Sequence, residues 1–490
     1  MSFLLALLLL PVLASARPLT VGSKKFTESV ILGEVLRLGL KSEGKSVRHQ
    51  RELGGTTLLW NALLSGDVDL YPEYTGTIQE EIFKGKIKDP QRMRKKLREL
   101  GIGMSASLGF NNTYAVGMRR ERAKELGIRS ISDLHRHQNL VMAWANEFME
   151  RKDGWPGLQE AYGLTHTNVR GIDHDVAYRA LVKGDVDVID LYSTDAEIPY
   201  YDIEVLADDK IFFPTYDAVI LYRLNRAEGL KGFIGKLEGK ISAARMSALN
   251  KEVKIDKLTS TQVAASFLKD QLGVDVEFKK VGRKERILER SLEHLKLVSI
   301  SLLLAILFAI PLGIVAAKFS AAGKVIIMIV SAIQTIPALA LLVMMIKPLG
   351  LLGLSGIGDT PALIALFLYS LLPIVRNTHA GICQIPMNLQ ETALVLNLSK
   401  KTRLLRIELP LALPMILTGI KTSLVLNIGF ATLGALVGAG GYGQSILTGI
   451  RLDNYGLILE GALPAAILAL LAQQLFDSLE KALVSRGLRV

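Results

Sequence analysis

Two copies of one short motif carry residues whose types and spacing suit ligand binding. Gly66-Asp67-Val68-Asp69-Leu70 recurs as Gly184-Asp185-Val186-Asp187-Val188, and the same offset sets Tyr74-Thr75 opposite Tyr192-Ser193. Each copy follows a helical stretch, 58–64 or 176–183, and begins a strand, which puts each tyrosine at a strand's carboxyl end, where open α/β sheets bind ligands. Paired tyrosines across two facing lobes suit a cation that has no hydrogens to donate, such as trimethylammonium, because each ring face attracts it by about 0.5 to 2 kcal/mol in a dry pocket. Tyrosines that merely pack a lobe interface would carry the same pattern.

A second motif imitates chemistry. Gly39-Leu40-Lys41-Ser42-Glu43-Gly44-Lys45-Ser46 matches the Walker A pattern in every specified position. A phosphate cradle must follow a strand and open a helix, so that backbone amides face the phosphates. Here the match closes a helical stretch and leads into a strand at Val47, so its glycines are read as helix caps and no ATPase site is expected. His135, His137, His166 and His174 form no i, i+4 ligand pair with an adjacent carboxylate; they are read as surface histidines, and no metal or cofactor is expected. No nucleophile–base constellation marks an exported enzyme.

The elements that position these residues lie in two halves with different solvents. Of the 490 residues half are hydrophobic, and the formal net charge is +11. No run of Lys and Arg is interleaved with aromatics, which excludes a nucleic-acid reading, whereas a membrane protein with basic inner loops explains the sign. The single cysteine, Cys383, excludes a disulfide framework. An apolar run from Phe3 to Leu13 followed by Ala14-Ser15-Ala16 reads as a signal peptide over residues 1–16, cleaved or kept as an anchor. Residues 18–278 alternate short apolar strands with amphipathic stretches and predict an α/β domain outside the membrane. A linker is expected at 279–294 and a transmembrane domain at 295–482.

Five apolar runs are counted there: 295–317, 325–346, 361–375, 409–437 and 457–476. With the first half exported, parity places Lys318 and Lys324, the loop 376–406 with Lys400, Lys401, Arg403 and Arg406, and the tail with Lys481, Arg486 and Arg489 on the inner side, as the positive-inside rule requires. The basic segment 279–296 falls outside in this arrangement, against the rule. Lys421 interrupts the fourth run and is read as facing a polar pathway or an interface. Gly434, Gly438, Gly440, Gly441 and Gly443 permit close helix packing or a tight re-entrant turn.

The segments Gly22 to Glu28 (GSKKFTE), Gly54 to Thr57 (GGTT), Tyr71 to Thr77 (YPEYTGT), Gly109 to Tyr114 (GFNNTY) and Val188 to Asp195 (VIDLYSTD) resemble the glycine betaine/carnitine/choline binding proteins of osmoprotectant ABC importers. The resemblance implies a two-lobed, periplasmic-binding-protein-like α/β domain of type II. It also implies an aromatic cage of Tyr74, Tyr114, Tyr192 and Tyr216, with Lys24, Thr77, Arg151 and Asn112 completing the solute site. A betaine carboxylate would meet Lys24, Thr77 and Arg151, the last through its planar fork; threonine at 77 goes with betaine-type solutes rather than strict choline binding.

The membrane half resembles the same importers' permease subunit, an all-α polytopic domain. Glu391-Thr392-Ala393-Leu394-Val395-Leu396-Asn397, with Pro410 downstream, is similar to the EAA loop, here 384–410, that docks on a cytoplasmic ATP-binding subunit. Thr392 replaces the usual alanine and Asn397 the usual glycine; asparagine tolerates the left-handed conformation glycine would supply. The resemblance thus implies a receptor–permease fusion in the bacterial inner membrane, a homodimer with two ATPase subunits, importing glycine betaine, carnitine or choline. Ergothioneine is the alternative solute. A membrane sensor without transport is the rival of another class, and such a sensor has no need of 391–414.

Overall fold

The computed structural model describes residues 17–279 and 281–484, so the expected export signal, residues 1–16, lies outside the described residues, as do Arg486 and Arg489. The N-terminal half contains ten strands: β1 (Leu19–Gly22), β2 (Val47–Gln50), β3 (Leu70–Tyr74), β4 (Ile102–Met104), β5 (Tyr114–Arg119), β6 (Met142–Ala145), β7 (Val169–Ile172), β8 (Val188–Tyr192), β9 (Ile203–Leu206) and β10 (Ala218–Arg223). They form two five-stranded sheets, ordered β2-β1-β3-β10-β4 and β7-β6-β8-β5-β9. In each sheet three parallel strands meet an antiparallel pair at the third strand, β3 with β10 and β8 with β5. Each sheet centres one lobe, and the chain crosses between lobes at 105–113 and again at 207–217, where Asn111 and Asp217 form an antiparallel bridge.

The repeated motif has one physical job in both lobes. Gly66 caps the helix Thr56–Ser65 and Gly184 caps the helix His174–Lys183, each in the left-handed conformation at φ 87° and 81°, which only glycine adopts without strain. The last aspartate of each copy then ties its strand to the neighbouring one. Thr20 N donates to the Asp69 carboxylate at 2.8 Å, and Val141 N donates to that of Asp187 at 2.9 Å. Tyr74 and Tyr192 are thereby set as the final residues of β3 and β8.

Helix α1 (Thr27–Ser42) packs across the first sheet with nearly all of its residues buried. It accounts for the Walker-like string, whose first glycine, Gly39, leaves room for the Phe233 ring; a Cβ there would stand 1.8 Å from it. Gly44 turns the chain at φ 78° into β2. The string thus ends a helix and opens a strand, the reverse of what a phosphate cradle needs.

The segment expected as a linker is helical from Arg283: α2 (Arg283–Lys318) runs unbroken through it into the first apolar run. Arg286 pairs with Glu460 at 2.7 Å and Lys296 with Asp359 at 2.6 Å, so the basic residues that parity placed on the unexpected side meet acidic partners there. The second apolar run is two helices, Ser320–Thr335 and Ala338–Leu351, bent by 93°. Pro337 causes the break: it lacks an N–H and pushes Ile336 out of the helical region, to φ −71°, ψ 125°. Tyr369 donates to the freed carbonyl of Ile336. The remaining long apolar helices are α3 (Asp359–Cys383), α4 (Leu409–Phe430), which continues into a 3-10 turn at Ala431–Val437, and α5 (Tyr455–Leu483).

Ion pairs fix which helix ends share a side. Lys318, ending α2, meets Glu408, just before α4, at 2.5 Å. Glu460 and Asp359, near the starts of α5 and α3, meet the opposite end of α2. Helices α2 and α3 therefore run in the same direction, and the bent pair must carry the chain back between them. It does so: it leaves the Lys318 end and arrives beside the N-terminal half, where Gly356 N donates to Asp67 at 2.9 Å. Counted this way the chain crosses five times. Within the bundle Asn427 bonds Ser301 at 3.2 Å, Ser423 bonds the Ser370 carbonyl at 3.0 Å and Lys421 pairs with Asp477 on α5, so the intramembrane polar groups serve helix–helix contacts.

Candidate functional site

Between the two lobes lies a cavity of about 780 Å³, mouth included, within the range of small-molecule sites. All eight residues expected at the solute site, Lys24, Tyr74, Thr77, Asn112, Tyr114, Arg151, Tyr192 and Tyr216, line it. The folding that gathers them is local to each lobe. Tyr74 and Tyr192 are strand ends fixed by the repeat, Tyr114 opens β5 directly across from Tyr192 in the ladder, and Tyr216 lies in the second crossover just before β10.

The rings form a continuous wall. Tyr114 stands 5.3 Å from Tyr192 and 5.5 Å from Tyr216, the latter edge to face at 88°. Phe26, which the sequence reading did not include in the cage, closes the wall between lobes at 6.0 Å from Tyr74 and 5.6 Å from Tyr192. Two hydroxyls are tied away from the cavity: Tyr74 donates to Glu28 at 2.6 Å and Tyr216 to Asp153. Their ring faces remain for a ligand, an arrangement that attracts a cation lacking donors.

The two cations expected to hold a carboxylate already have internal partners. Lys24 pairs with the fully buried Glu73 at 2.5 Å, and Arg151 grips Asp153 through Nε at 2.8 Å and through Nη2. Arg151 also lies 5.5 Å from the Tyr114 ring centroid, and no hydrogen bond is recorded for its Nη1. Asn112 lines the cavity but commits its amide to Glu28 at 2.9 Å and to Thr194 N at 3.4 Å, which makes it a brace between lobes. Glu147, beside Gly55 at the mouth, is a cavity-lining carboxylate that the sequence reading passed over.

Two histidines read as surface groups are buried. His166 donates to or accepts from the chain near the His137 carbonyl at 3.0 Å. His174 opens its helix at the cavity wall, 4.4 Å from the Tyr192 ring and 3.0 Å from Asp195. Burial disfavours its charge, but the Asp195 and Asp190 carboxylates outweigh that and hold its pKa well above the usual imidazole value. Single histidines carry no spacing signal, and only the sheet brings these carboxylates together. No group of three or more metal-ligating side chains occurs among the described residues.

Glu28 sits behind the cage at the junction of the lobes. It accepts from Tyr74 at 2.6 Å, Thr194 at 2.5 Å, Asn112 at 2.9 Å and Asn250 at 3.3 Å. Burial dominates these bonds and pushes its carboxyl up to about 7.

At the far end of the helical bundle the other expected site is an exposed helix. Glu391, Thr392 and Ala393 lie in Met387–Val395, with Ala393 facing in and Met387, Leu394, Val395 and Leu396 exposed. Asn397 adopts φ 51°, the left-handed turn that the sequence reading assigned to it, and Pro410 opens α4.

Residues 17–270 match the family model of the substrate binding domain of ABC-type glycine betaine transport systems, and residues 309–488 match the binding-protein-dependent transport system inner membrane component. The ergothioneine transport permease/ergothioneine binding protein EgtU of Helicobacter pylori is 35% identical over 271 residues, covering 53% of this chain and 48% of that one; the chain thus spans about half of that relative's length. The choline transport system permease protein OpuBB of Bacillus subtilis is 38% identical over 203 residues, 41% of this chain and 91% of its own. Among solved structures, a glycine betaine/carnitine/choline ABC transporter is 33% identical and covers 51% of this chain and 97% of its own, with a TM-score of 0.44. These relatives are transport binding and permease proteins, and the apolar helices fit an inner-membrane location. The chain belongs to the family of ABC-type glycine betaine substrate-binding domains, fused here to the inner-membrane component of a binding-protein-dependent transporter.

Proposed function

We propose that this chain is the receptor–permease subunit of an importer that takes up quaternary-ammonium osmolytes of the glycine betaine, carnitine and choline type. The observation that carries the reading is the aromatic wall: four tyrosines and Phe26, from both lobes and the crossover, surround one cavity with their ring faces. In this reading the trimethylammonium group rests on the rings. The carboxylate of a betaine meets Thr77, the Nη1 of Arg151 and Lys24. Asp153 and Glu73 offset the two basic charges, so the site favours a zwitterion over a bare anion.

Residues 1–16 direct export, 18–278 face the extracytoplasmic side, and the EAA-type loop 384–410 faces the cytoplasm with the C-terminus. There the exposed Leu394, Val395 and Leu396 offer an apolar surface to a separate ATP-binding subunit, on which hydrolysis takes place; the chain itself catalyses no reaction. Two copies assemble in the lipid bilayer with two such subunits. A second reading, ergothioneine as the solute, is supported by the printed function of the Helicobacter relative.

Calorimetric titration of the full chain in lipid nanodiscs with glycine betaine, carnitine, choline and ergothioneine tests both. One of the first three is expected to bind saturably, and Tyr192→Ala is expected to weaken it by roughly 2- to 30-fold, the contribution of one ring. Binding of ergothioneine alone selects the second reading. Binding of none to the folded chain removes the quaternary-ammonium assignment.

A further inference from the structure

One element of the helical half reaches into the N-terminal half at the rim of the cleft. The helix Tyr442–Arg451 and the turn after it, residues 452–454, form a tip at the receptor end of the bundle. On the first lobe the tip holds Glu52. Arg451 Nε donates to the Glu52 carboxylate at 2.6 Å, Thr448 Oγ1 at 2.8 Å, and Gln444 completes the set. Arg451 also donates through Nη1 to Thr27 at 3.1 Å; Thr27 opens α1 directly after the cage ring Phe26. Glu52 is 2% exposed and Arg451 6%, so this is a buried charge pair that leaves a costly orphan if either side is removed.

On the second lobe the tip meets the helix that carries His174. Asp453 pairs with Arg179, Leu452 packs against the hydrophobic core of the receptor, and Lys257 donates to the Leu452 carbonyl at 2.7 Å. The backbone on both sides of the contact is unusual. Glu52 has φ 59° and Asp453 φ 46°, left-handed conformations that are uncommon for residues other than glycine and that cluster where function over-determines the chain.

The lobes are closed on one another in this arrangement. Phe26 of the first touches Tyr192 of the second, and Lys25 reaches Asp173 across the mouth at 3.3 Å. The tip therefore contacts both lobes at one inter-lobe separation. We propose that residues 444–453 form a docking surface whose partner is the closed receptor domain of the same chain, and that a single permease copy thereby registers cleft closure by bridging both lobes. Arg451 is a positioning residue in this scheme: it touches no solute and acts through Thr27 and Glu52. By linkage, whatever favours the closed cleft favours tip engagement, and tip engagement in turn favours closure.

The inference rests on the N-terminal half acting as a clamshell receptor but not on which solute it binds, so its test uses none. In the full chain with Cys383→Ser, Lys25→Cys and Asp173→Cys are joined by a short bismaleimide, which locks the lobes together, and amide hydrogen exchange is read over 442–454 in nanodiscs. Exchange across 449–453 is expected to slow by about tenfold relative to the unlinked, solute-free chain. Arg451→Ala and the exposed-site variant Arg179→Glu are each expected to remove most of that protection while leaving exchange in β1 and β6 unchanged, which separates loss of docking from loss of fold. Equal exchange in locked and unlocked chains overturns the proposal. So does protection that survives in both variants. Absence of osmolyte binding in the titration above would remove the solute assignment and leave this result untouched.

Discussion

Glu28 is the residue at which solute site, hinge and fold converge. Its carboxyl joins Tyr74 of the first lobe to Thr194 of the second and to Asn112 at the crossover, yet burial raises its pKa from 4.5 to about 7. The folded state thus holds this proton more tightly than the unfolded chain does. The stability it contributes is fully present below about pH 4.5 and is lost as the pH rises to about 7. Glu28→Gln removes the titration, so the difference in unfolding midpoint between wild type and variant is expected to change with pH across that window and to level off above it. A difference that stays flat from pH 4.5 to 7.5 would show that Glu28 is ionised throughout. Residues of this kind were hard to read from sequence. Glu28 lies in a quoted motif but gains its meaning from partners 46, 84 and 166 positions away. The same distance hides the Lys24–Glu73 pair, whereas the four tyrosines were legible because strand ends and a repeat mark them.

At the scale of elements the repeat makes the sharpest claim. Asp69 and Asp187 each lock a strand to the start of its parallel neighbour, by a side-chain bond to Thr20 N or Val141 N, and each also donates its own backbone N–H to the matching carbonyl. Removing the carboxylate leaves an amide without its acceptor. Asp69→Ala is expected to destabilise the receptor half by about 1 to 3 kcal/mol, and Asp187→Ala by less because it is partly exposed. Urea unfolding followed by tryptophan fluorescence measures both; an unchanged midpoint for Asp69→Ala would show that the repeat marks ancestry rather than a structural lock. Hydropathy located the apolar runs but not their continuity. It measures only how apolar a stretch is, so it merged the two helices that Pro337 separates. It also divided α2, whose first turns are charged because they pair with Glu460 and Asp359 and do not need to be apolar. The Walker-like string shows the converse. Its letters fit while its place at a helix end does not, and Phe233 rather than a phosphate occupies the space beside Gly39.

For the whole molecule the consequence is a fixed order along one axis: solute cleft, docking tip, helical bundle, exposed EAA-type helix. The ends are assigned by ion pairs rather than by hydropathy, with Lys318 and Glu408 at one end and Arg286, Glu460, Lys296 and Asp359 at the other. The positive-inside rule then orients the axis, because Lys318, Lys400, Lys401, Arg403 and Arg406 gather at the Glu408 end. The chain carries its own reporter for this arrangement. Cys383 is its single cysteine, it is exposed, and it ends α3 at the side from which the EAA-type loop departs. A membrane-impermeant maleimide is expected to leave Cys383 unlabelled in intact spheroplasts and to label it fully once the membrane is permeabilised. A cysteine placed on the receptor half at the exposed Ile211, by Ile211→Cys in the Cys383→Ser background, should show the opposite pattern and react in intact spheroplasts. Were Cys383 to react from outside while position 211 is protected, the axis would be inverted and the exposed Leu394-Val395-Leu396 surface could not meet an ATP-binding subunit. If both positions reacted from outside, the bent pair Ser320–Leu351 would re-enter rather than cross, despite the bond from Gly356 to Asp67 that places its end beside the receptor.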